Sequence, residues 1–133
     1  MKQLIIVLLL VSAFTYSCKE EATEASVKIV TAEEMKELSK LEDVQLLDVR
    51  TPEEYAIGYI DGFKNIDFLS DSFQEDIEKL DKSKPVIVYC KSGGRSGRCS
   101  ALMLEKGFKK IYDLEGGITK WESEGNPIKK DSE

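Results

Sequence analysis

The chain has 133 residues, 41% of them hydrophobic and 33% charged, which is enough for one domain of ordinary size with a hydrophobic core. Its formal net charge of −6 at pH 7 argues against a nucleic-acid partner. Because the chain contains no histidine, Cys-His dyads, Ser-His-Asp triads and His-ligated metal sites are excluded as well.

Residues 1–17 have the composition of a secretory signal. Lys2 gives the segment a positively charged N-terminal region. Residues 4–11 form an apolar run that is shorter than a typical transmembrane helix. Cys18 follows a small residue, as the lipidated cysteine of a bacterial lipoprotein does, although residues 15–16 depart from the usual Leu-small-small-Cys pattern. We therefore predict a lipoprotein whose mature N-terminus is Cys18, with a plainly cleaved signal or an uncleaved anchor as the alternatives.

Residues 18–26 form a polar, flexible tether of low hydrophobicity. Its acidic residues resemble the stretch that sends some Gram-negative lipoproteins to the outer surface, although a solvated linker would look the same. We expect an exported protein of the bacterial cell envelope, lipid-anchored in the periplasm or at the outer membrane. The folded domain is expected over 27–129, followed by a polar tail at 130–133.

The first half of the domain predicts two strands and two capped helices. A short strand at 27–30 leads into a capping box at 31–34, where a threonine is followed three residues later by a glutamate. A second strand over 44–49 is apolar enough to be buried. The capping pattern repeats at 51–54 with proline at the first helical position, and this short helix should end at Gly58.

The second half continues the alternation of strands and helices. Its predicted elements are a strand around Ile66, an amphipathic helix over 70–80, a buried strand over 85–90, a helix capped by Ser96 and stopped by Gly107, a strand over 111–114 and a helix opened by Gly116 and Gly117. This alternation predicts an α/β fold, a mostly parallel sheet with helices on both faces. Ligands in such sheets bind at the carboxyl ends of the strands, which is where Cys90 falls.

The loop that starts at Cys90 has the composition of an anion cradle. Gly93 and Gly94 allow the backbone to curl so that its N–H groups converge, and the start of the next helix adds partial positive charge. A thiol at that point should have a lowered pKa, because the thiolate gains donors and lies near Arg95. Cys90 is therefore the candidate nucleophile. A buried cysteine beside an ordinary turn is the alternative that the loop alone leaves open.

The cysteine loop belongs to a series of short motifs. These are Asp48-Val49-Arg50, Pro52-Glu53-Glu54-Tyr55, Gly58-Tyr59-Ile60-Asp61-Gly62, Cys90-Lys91-Ser92-Gly93-Gly94-Arg95-Ser96, and Leu114-Glu115-Gly116-Gly117 with Trp121. Together they resemble a single-domain rhodanese, a sulfurtransferase, over about 28–127. The resemblance implies a five-stranded rhodanese-like sheet with flanking helices. It also places Ser92 and Ser96 in the substrate-binding loop.

The resemblance implies a reaction in two steps without a cofactor. The Cys90 thiolate takes the outer sulfur of a small anionic donor such as thiosulfate, and a thiol or cyanide acceptor then removes it from the persulfide. The loop N–H groups and Arg95 offer sites for the sulfonate of the donor and for the persulfide anion. Lys91 adds positive charge at the rim, with a merely solvated lysine as the alternative. We expect a monomer.

Some residues depart from the family pattern or only support it. Tyr59 replaces the usual histidine and Phe63 the usual alanine, so we expect activity to survive with an altered shape or acceptor choice. Asp48 and Arg50 are expected to orient the loop or neighbouring turns as a charge pair, with a structural role favoured. Cys99 is expected in the core rather than as a resolving thiol, because it lies on the apolar face of its helix.

Other functions remain as alternatives. Cysteine phosphatases and rhodanese-like arsenate reductases have Cys-x5-Arg, whereas Cys90 to Arg95 is the shorter Cys-x4-Arg, which suits a sulfur atom better than a phosphoryl group. A thiol oxidoreductase is disfavoured because Cys-x-x-Cys is absent. A non-catalytic, envelope-tethered binding module on the rhodanese scaffold is the alternative that stays open.

Overall fold

The computed structural model describes residues 24–131. The predicted signal at 1–17, the predicted lipidation site Cys18 and most of the tether lie outside the described residues. Across 24–131, every helix is too short or too polar to cross a membrane.

Strands and helices alternate along the described residues. The strands are β1 (Ser26–Val30), β2 (Gln45–Asp48), β3 (Lys64–Asn65), β4 (Val86–Tyr89) and β5 (Lys110–Leu114). The helices are α1 (Ala32–Leu38), α2 (Pro52–Ile57), α3 (Phe73–Glu78), α4 (Gly94–Glu105) and α5 (Gly117–Ser123).

The strands form one sheet in the order β1-β5-β4-β2-β3, and every pair in it is parallel. The predicted five-stranded α/β fold is confirmed. Asp48 pairs with Tyr89 and Val88 pairs with Asp113, so β2, β4 and β5 end at the same edge of the sheet. β4 is buried at all of its positions, as expected for a central strand covered on both faces. This strand delivers the residue after it to the middle of that edge.

A hydrophobic core lies on each face of the sheet. One contains residues of α3 and α4, including Phe73, Ile77 and Met103. The other contains residues of α1 and α5, including Met35 and Trp121. The prediction of helices on both faces is therefore confirmed.

Local signals account for most of the element boundaries. Both predicted capping boxes are formed, at Thr31 and at Thr51. The third strand lies slightly earlier than predicted, because β3 pairs with the end of β2 through Lys64 and Asn65 and Ile66 follows it. α3 starts at Phe73 rather than at residue 70, since Ser70 accepts the backbone N–H of Ser72 and holds a turn there.

Candidate active site

The site is built around Cys90, which directly follows β4 and is only 1% exposed. The backbone N–H of Gly93 donates to its Sγ at 3.0 Å, and the thiol donates to the Ser96 hydroxyl oxygen at 3.4 Å. Burial alone would raise the pKa of this thiol, but the Ser96 hydroxyl and the backbone N–H groups of Ser96, Gly93 and Ser92 lower it by more. The net lowering of the Cys90 pKa favours the thiolate, the form in which cysteine is a nucleophile.

Gly93, not Ser96, is the residue that caps α4. Its φ of 113° lies in the left-handed region, where a side chain would be strained. The prediction of a Ser96 cap is wrong because this glycine turn starts the helix at Gly94 and moves Ser96 into the first turn. There Ser96 is fully buried, and its hydroxyl reaches Cys90. Gly94 has no positive φ and open space around it, so it is the less constrained of the two glycines.

The start of α5 holds the cysteine loop from the other side. The backbone N–H of Ile118 donates to the carbonyl of Cys90, and that of Thr119 to the carbonyl of Lys91, both at 3.0 Å. Gly117 makes this approach possible, since a Cβ there would lie 2.5 Å from each of those carbonyl oxygens. The two carbonyls therefore point at α5, which leaves the N–H groups of the loop to face the thiol. The sequence placed this glycine pair at a helix start but did not reveal that it supports the loop.

Arg95 is held by Glu54 rather than directed freely at the thiol. Its Nη1 and Nη2 donate to the two carboxylate oxygens of Glu54 at 2.7 and 2.8 Å. These hydrogen bonds from Arg95 lower the pKa of Glu54 to about 2. The same hydrogen bonds raise the pKa of Arg95, and the negative charge of the Cys90 thiolate raises it further. The sequence predicts Glu54 as a capping residue and as part of a family motif, and neither pattern indicates that its carboxylate meets Arg95.

Asp48 and Arg50 form the expected charge pair, and it is buried behind the loop. Arg50 Nη2 lies 2.7 Å from Asp48 Oδ2, and it also donates to the carbonyl of Gly58 at 2.7 Å. The Tyr89 hydroxyl donates to the same Asp48 oxygen at 2.6 Å and accepts the backbone N–H of Ile60 at 3.0 Å. The pair thus joins the ends of β2 and β4 to the turn after α2, an arrangement that favours the structural role.

Lys91 is exposed at the rim of a cleft beside the cysteine loop. The cleft has a volume of about 660 Å³. Its lining includes Arg50, Glu54, Ile57, Lys91, Ile118, Thr119, Ile128 and Lys130. We call this space the Lys91 cleft. Cys90 itself is not among the lining residues, and the cleft meets the cysteine loop through Lys91 and through Ile118, whose backbone N–H binds the Cys90 carbonyl.

Tyr59 and Phe63, the departures from the family pattern, both pack inside the domain. The Tyr59 ring stacks on Tyr55 with centroids 4.2 Å apart, and its hydroxyl donates to Asp131 at 2.9 Å. Backbone hydrogen bonds also join Tyr59 to Lys129 in both directions. Phe63 is buried against the edge of Tyr89. Tyr59 therefore holds the end of the described chain against one wall of the Lys91 cleft.

Cys99 lies in the core, as predicted. It is fully buried, and its thiol contacts Met103 at 3.7 Å between the sulfur atoms. Burial, with smaller contributions from the charges of Asp113 and Cys90, raises the pKa of Cys99 to about 12. Both Cys90 and Cys99 are free thiols. Cys99 therefore stays protonated and unreactive at neutral pH.

Together these features define a parallel α/β protein with a buried cysteine of lowered pKa in a loop of backbone N–H donors. The rhodanese-like domain model matches residues 31–124. The chain therefore belongs to the rhodanese-like family.

Relatives of known name agree with this family. A sulfurtransferase of Allochromatium vinosum is 34% identical over 91 residues, which are 68% of this chain and 83% of that protein. The crystal structure of a rhodanese-related protein from Thermoplasma volcanium is similar to this structure, with a TM-score of 0.68. The two sequences are 31% identical, and the match covers 77% of this chain and 97% of that one.

Some relatives are much longer proteins. The tRNA uridine(34) hydroxylases of Hamiltonella defensa and Cytophaga hutchinsonii are 39% and 36% identical over 97 and 104 residues. Those matches take in 68% and 76% of this chain but only 26% and 33% of the hydroxylases. The chain thus spans about a third or less of their length.

Proposed function

We propose that the chain is a rhodanese-type sulfurtransferase that carries sulfur on Cys90. The observation that supports this most directly is the convergence of hydrogen-bonding groups on one sulfur atom, with a Ser96 hydroxyl that accepts from the thiol and can donate to the thiolate. The Gly93 N–H lies 3.0 Å from Sγ, and the Ser96 hydroxyl lies 3.4 Å from it. These groups stabilise a negative charge at that point, whether it belongs to a thiolate or to a persulfide.

The first half of the reaction loads the cysteine. The Cys90 thiolate attacks the outer sulfur of a donor such as thiosulfate and forms a new S–S bond. The S–S bond of the donor breaks, and sulfite leaves with the bonding electron pair. Cys90 is left as a persulfide anion, so charge and electrons balance without a cofactor or an external oxidant.

The second half unloads it. An acceptor thiolate, or cyanide, attacks the outer sulfur of the persulfide, and the Cys90 thiolate leaves. The Lys91 cleft offers the acceptor a route to the loop, because its lining includes Lys91, the residue after Cys90, and Ile118, whose backbone N–H binds the Cys90 carbonyl. The positive charge of Lys91 favours a small anionic donor and an anionic acceptor. The nucleophile and its loop come from a single chain, so we propose that the protein acts as a monomer.

The test is the intact mass of the purified, reduced protein before and after incubation with thiosulfate. We expect a gain of one sulfur atom that Cys90→Ser abolishes and Cys99→Ser retains. No gain in folded wild-type protein would contradict thiosulfate as the donor. If polysulfide also failed to load the protein, the non-catalytic binding module would replace the enzyme.

We also propose that the protein is exported and anchored by lipid at Cys18 in the bacterial cell envelope. The support is the sequence of residues 1–17 and the small residue before Cys18. When the full-length gene is expressed, the protein recovered from membranes should begin at Cys18 and carry a diacylglyceryl group on that residue. The Cys18→Ser variant should carry no lipid. It should either be absent from the membrane fraction or retain residues 1–17. Equal membrane binding by both forms, with no lipid mass, would contradict the anchor.

A further inference from the structure

Arg95 is the arginine of the cysteine loop, and a carboxylate of its own chain already occupies it. Its Nη1 and Nη2 donate to the two oxygens of Glu54 at 2.7 and 2.8 Å. An arginine can grip a sulfate or phosphate group through the same two-bond geometry. The negative charge of Glu54 also weakens the attraction of an anion to the remaining N–H groups of Arg95. Arg95 is therefore not free to grip an oxyanion.

Glu54 is held in this position by contacts that do not involve Arg95. Its Oε2 accepts the backbone N–H of Thr51 at 2.9 Å and the Thr51 hydroxyl at 3.1 Å. The Thr51 hydroxyl oxygen accepts the backbone N–H of Glu54 in return, which completes the capping box of α2. An anion that competes for Arg95 must therefore displace a carboxylate that the helix cap holds in place.

The Arg95–Glu54 pair joins the cysteine loop to the Lys91 cleft. Hydrogen bonding to Glu54 and, less strongly, the charge of the Cys90 thiolate raise the pKa of Arg95, so the guanidinium lies within electrostatic reach of the thiol. Glu54 lines the Lys91 cleft, whereas Arg95 does not. The Glu54 side chain is also the more exposed of the two, at 28% against 17%. An anion that enters through this cleft therefore meets a carboxylate rather than a guanidinium.

The other hydrogen-bonding groups of the loop converge on the sulfur atom. The Gly93 N–H lies 3.0 Å from Cys90 Sγ, and the Ser96 hydroxyl, at 3.4 Å, can donate to the thiolate. These groups suit a single charged sulfur, whereas a tetrahedral oxyanion needs donors for several oxygens at once. Arg95 is the side chain that could supply such donors, and Glu54 holds it.

We propose that Glu54 is a specificity-determining residue that keeps tetrahedral oxyanions out of the cysteine loop by occupying the Arg95 guanidinium. Sulfate and phosphate carry no sulfur that a thiolate can take, so either anion bound at Arg95 would block Cys90. A donor is then selected by the sulfur that it presents to the loop N–H groups. The benefit for sulfur transfer rests on the proposed function, whereas the exclusion of oxyanions does not.

The experiment measures how sulfate changes the rate of Cys90 alkylation by iodoacetamide in the purified, reduced protein. The readout is the mass of the peptide that contains Cys90, and sodium chloride of equal ionic strength is the reference for each variant. Iodoacetamide is uncharged, so a change of charge in the site does not alter its own attraction to the loop. In the wild type, we expect the same rate in sulfate and in chloride.

Glu54→Gln should free the guanidinium with little change to the helix cap. The amide oxygen of glutamine can still accept the Thr51 N–H, since a capping box is made by glutamine as well as by glutamate. The amide NH2 cannot accept from Arg95, which therefore loses one acceptor and its neutralising charge. We expect sulfate to protect Cys90 in this variant and to bind at least about tenfold more tightly than in the wild type, because a charge-assisted contact is gained.

Two further variants show whether the gain comes from Arg95. Glu122→Gln removes the same charge from the lining of the Lys91 cleft but leaves the Arg95–Glu54 pair in place, so sulfate should protect Cys90 no better than in the wild type. The double variant Glu54→Gln with Arg95→Gln should lose the protection that Glu54→Gln gains. Thermal unfolding in chloride checks that each variant is folded.

Four results would overturn the proposal. They are protection of wild-type Cys90 by sulfate, no protection in folded Glu54→Gln, equal protection in Glu122→Gln, and protection that persists in the double variant. The first is measured on the wild type alone, so it tests the proposal even where a variant fails to fold. Failure of thiosulfate to load Cys90 would contradict the proposed function and leave these sulfate results standing.

Discussion

The guanidinium of Arg95 and the carboxylate of Glu54 meet through two parallel hydrogen bonds of 2.7 and 2.8 Å. Glu54 also accepts the backbone N–H of Thr51 at 2.9 Å, so the carboxylate that caps α2 also fixes the first turn of α4. An anionic donor that needed Arg95 would have to share the guanidinium with Glu54. The geometry therefore gives Arg95 a support role for the loop in addition to any contact with substrate.

The Glu54 pair should make stability depend on pH in the acid range. The pKa of Glu54 is about 2 in the folded protein, below its usual value, so the pair stabilises the fold above the unfolded pKa and is lost as pH falls toward 2. Urea unfolding of wild type should therefore lose about 1–3 kcal/mol more than Glu54→Gln between about pH 5 and pH 2.

Glu53→Gln is the matched control, because Glu53 precedes Glu54 in the same helical turn and is exposed. Its stability should change with pH in parallel with the wild type. Equal acid sensitivity in wild type and Glu54→Gln would show that Arg95 contributes no net stability through this carboxylate.

Gly117→Ala should disturb the cysteine loop from behind. Its φ of 61° disfavours a side chain, and the added Cβ would lie 2.5 Å from the carbonyl oxygens of Cys90 and Lys91. We expect a loss of about 1–3 kcal/mol in the free energy of unfolding. Because the carbonyls must move, persulfide formation should slow as well, measured by intact mass against time.

Gly125→Ala separates the effect of backbone strain at a positive φ from the effect of the close contact with the loop carbonyls. Gly125 also has a positive φ, of 81°, but a Cβ there would meet nothing within 4 Å. This variant should lose some stability and keep the wild-type rate of persulfide formation. Equal rates in both variants would argue that the close approach of α5 does not shape the loop.

Asp48→Asn should be strongly destabilising. It leaves the buried guanidinium of Arg50 without its anionic partner and weakens the hydrogen bond from the Tyr89 hydroxyl. Loss of one partner from a buried pair costs about 3 kcal/mol or more, which denaturant unfolding will detect. Asp61→Asn, which breaks an exposed pair with Lys129 at 3.4 Å, should change little. If Asp48→Asn and Asp61→Asn lowered the free energy of unfolding by similar amounts, the buried Asp48–Arg50 pair would stabilise the fold no more than an exposed ion pair does.

Tyr59→Phe should loosen the end of the described chain without affecting the thiol. The ring can still stack on Tyr55, but the hydrogen bond to Asp131 is removed. We expect faster amide hydrogen exchange at Lys129, whose N–H donates to the carbonyl of Tyr59, and unchanged alkylation of Cys90. Unchanged exchange at Lys129 would show that the backbone pairing alone holds this segment.

Features set by neighbouring residues could be predicted from the sequence. The capping boxes at Thr31 and Thr51 need only a threonine and a glutamate three positions apart, and the buried strand before Cys90 needs only its apolar run. The motifs around Cys90 were enough to predict the fold, which the structure confirms, and the role of Cys90 as nucleophile stays a prediction. Among the local errors, the cap of α4 was misplaced because a serine is a common cap and the left-handed turn at Gly93 takes its place.

Features that depend on distant segments could not be predicted. Glu54 and Arg95 are separated by 41 positions, and nothing in either motif indicates that they meet. Gly117 looks like an ordinary helix start until the Cys90 carbonyl is found beside it. Asp113 is a single polar residue in a short strand, so its burial and its unpaired oxygen emerge only from the structure.

The two hydrogen bonds that join the start of α5 to the cysteine loop involve only main-chain atoms. Ile118 and Thr119 donate through their backbone N–H groups, and Cys90 and Lys91 accept through their carbonyls. The side chains of Ile118, Thr119 and Lys91 take no part in these hydrogen bonds, and all three residues line the Lys91 cleft. Under the proposed function, substitutions of these side chains would change the preference for a sulfur donor or acceptor while the main-chain hydrogen bonds that hold the Cys90 loop stay intact. In this proposal the main-chain atoms of these residues support the thiol and their side chains set selectivity, so selectivity can change in evolution while the support of the thiol is kept.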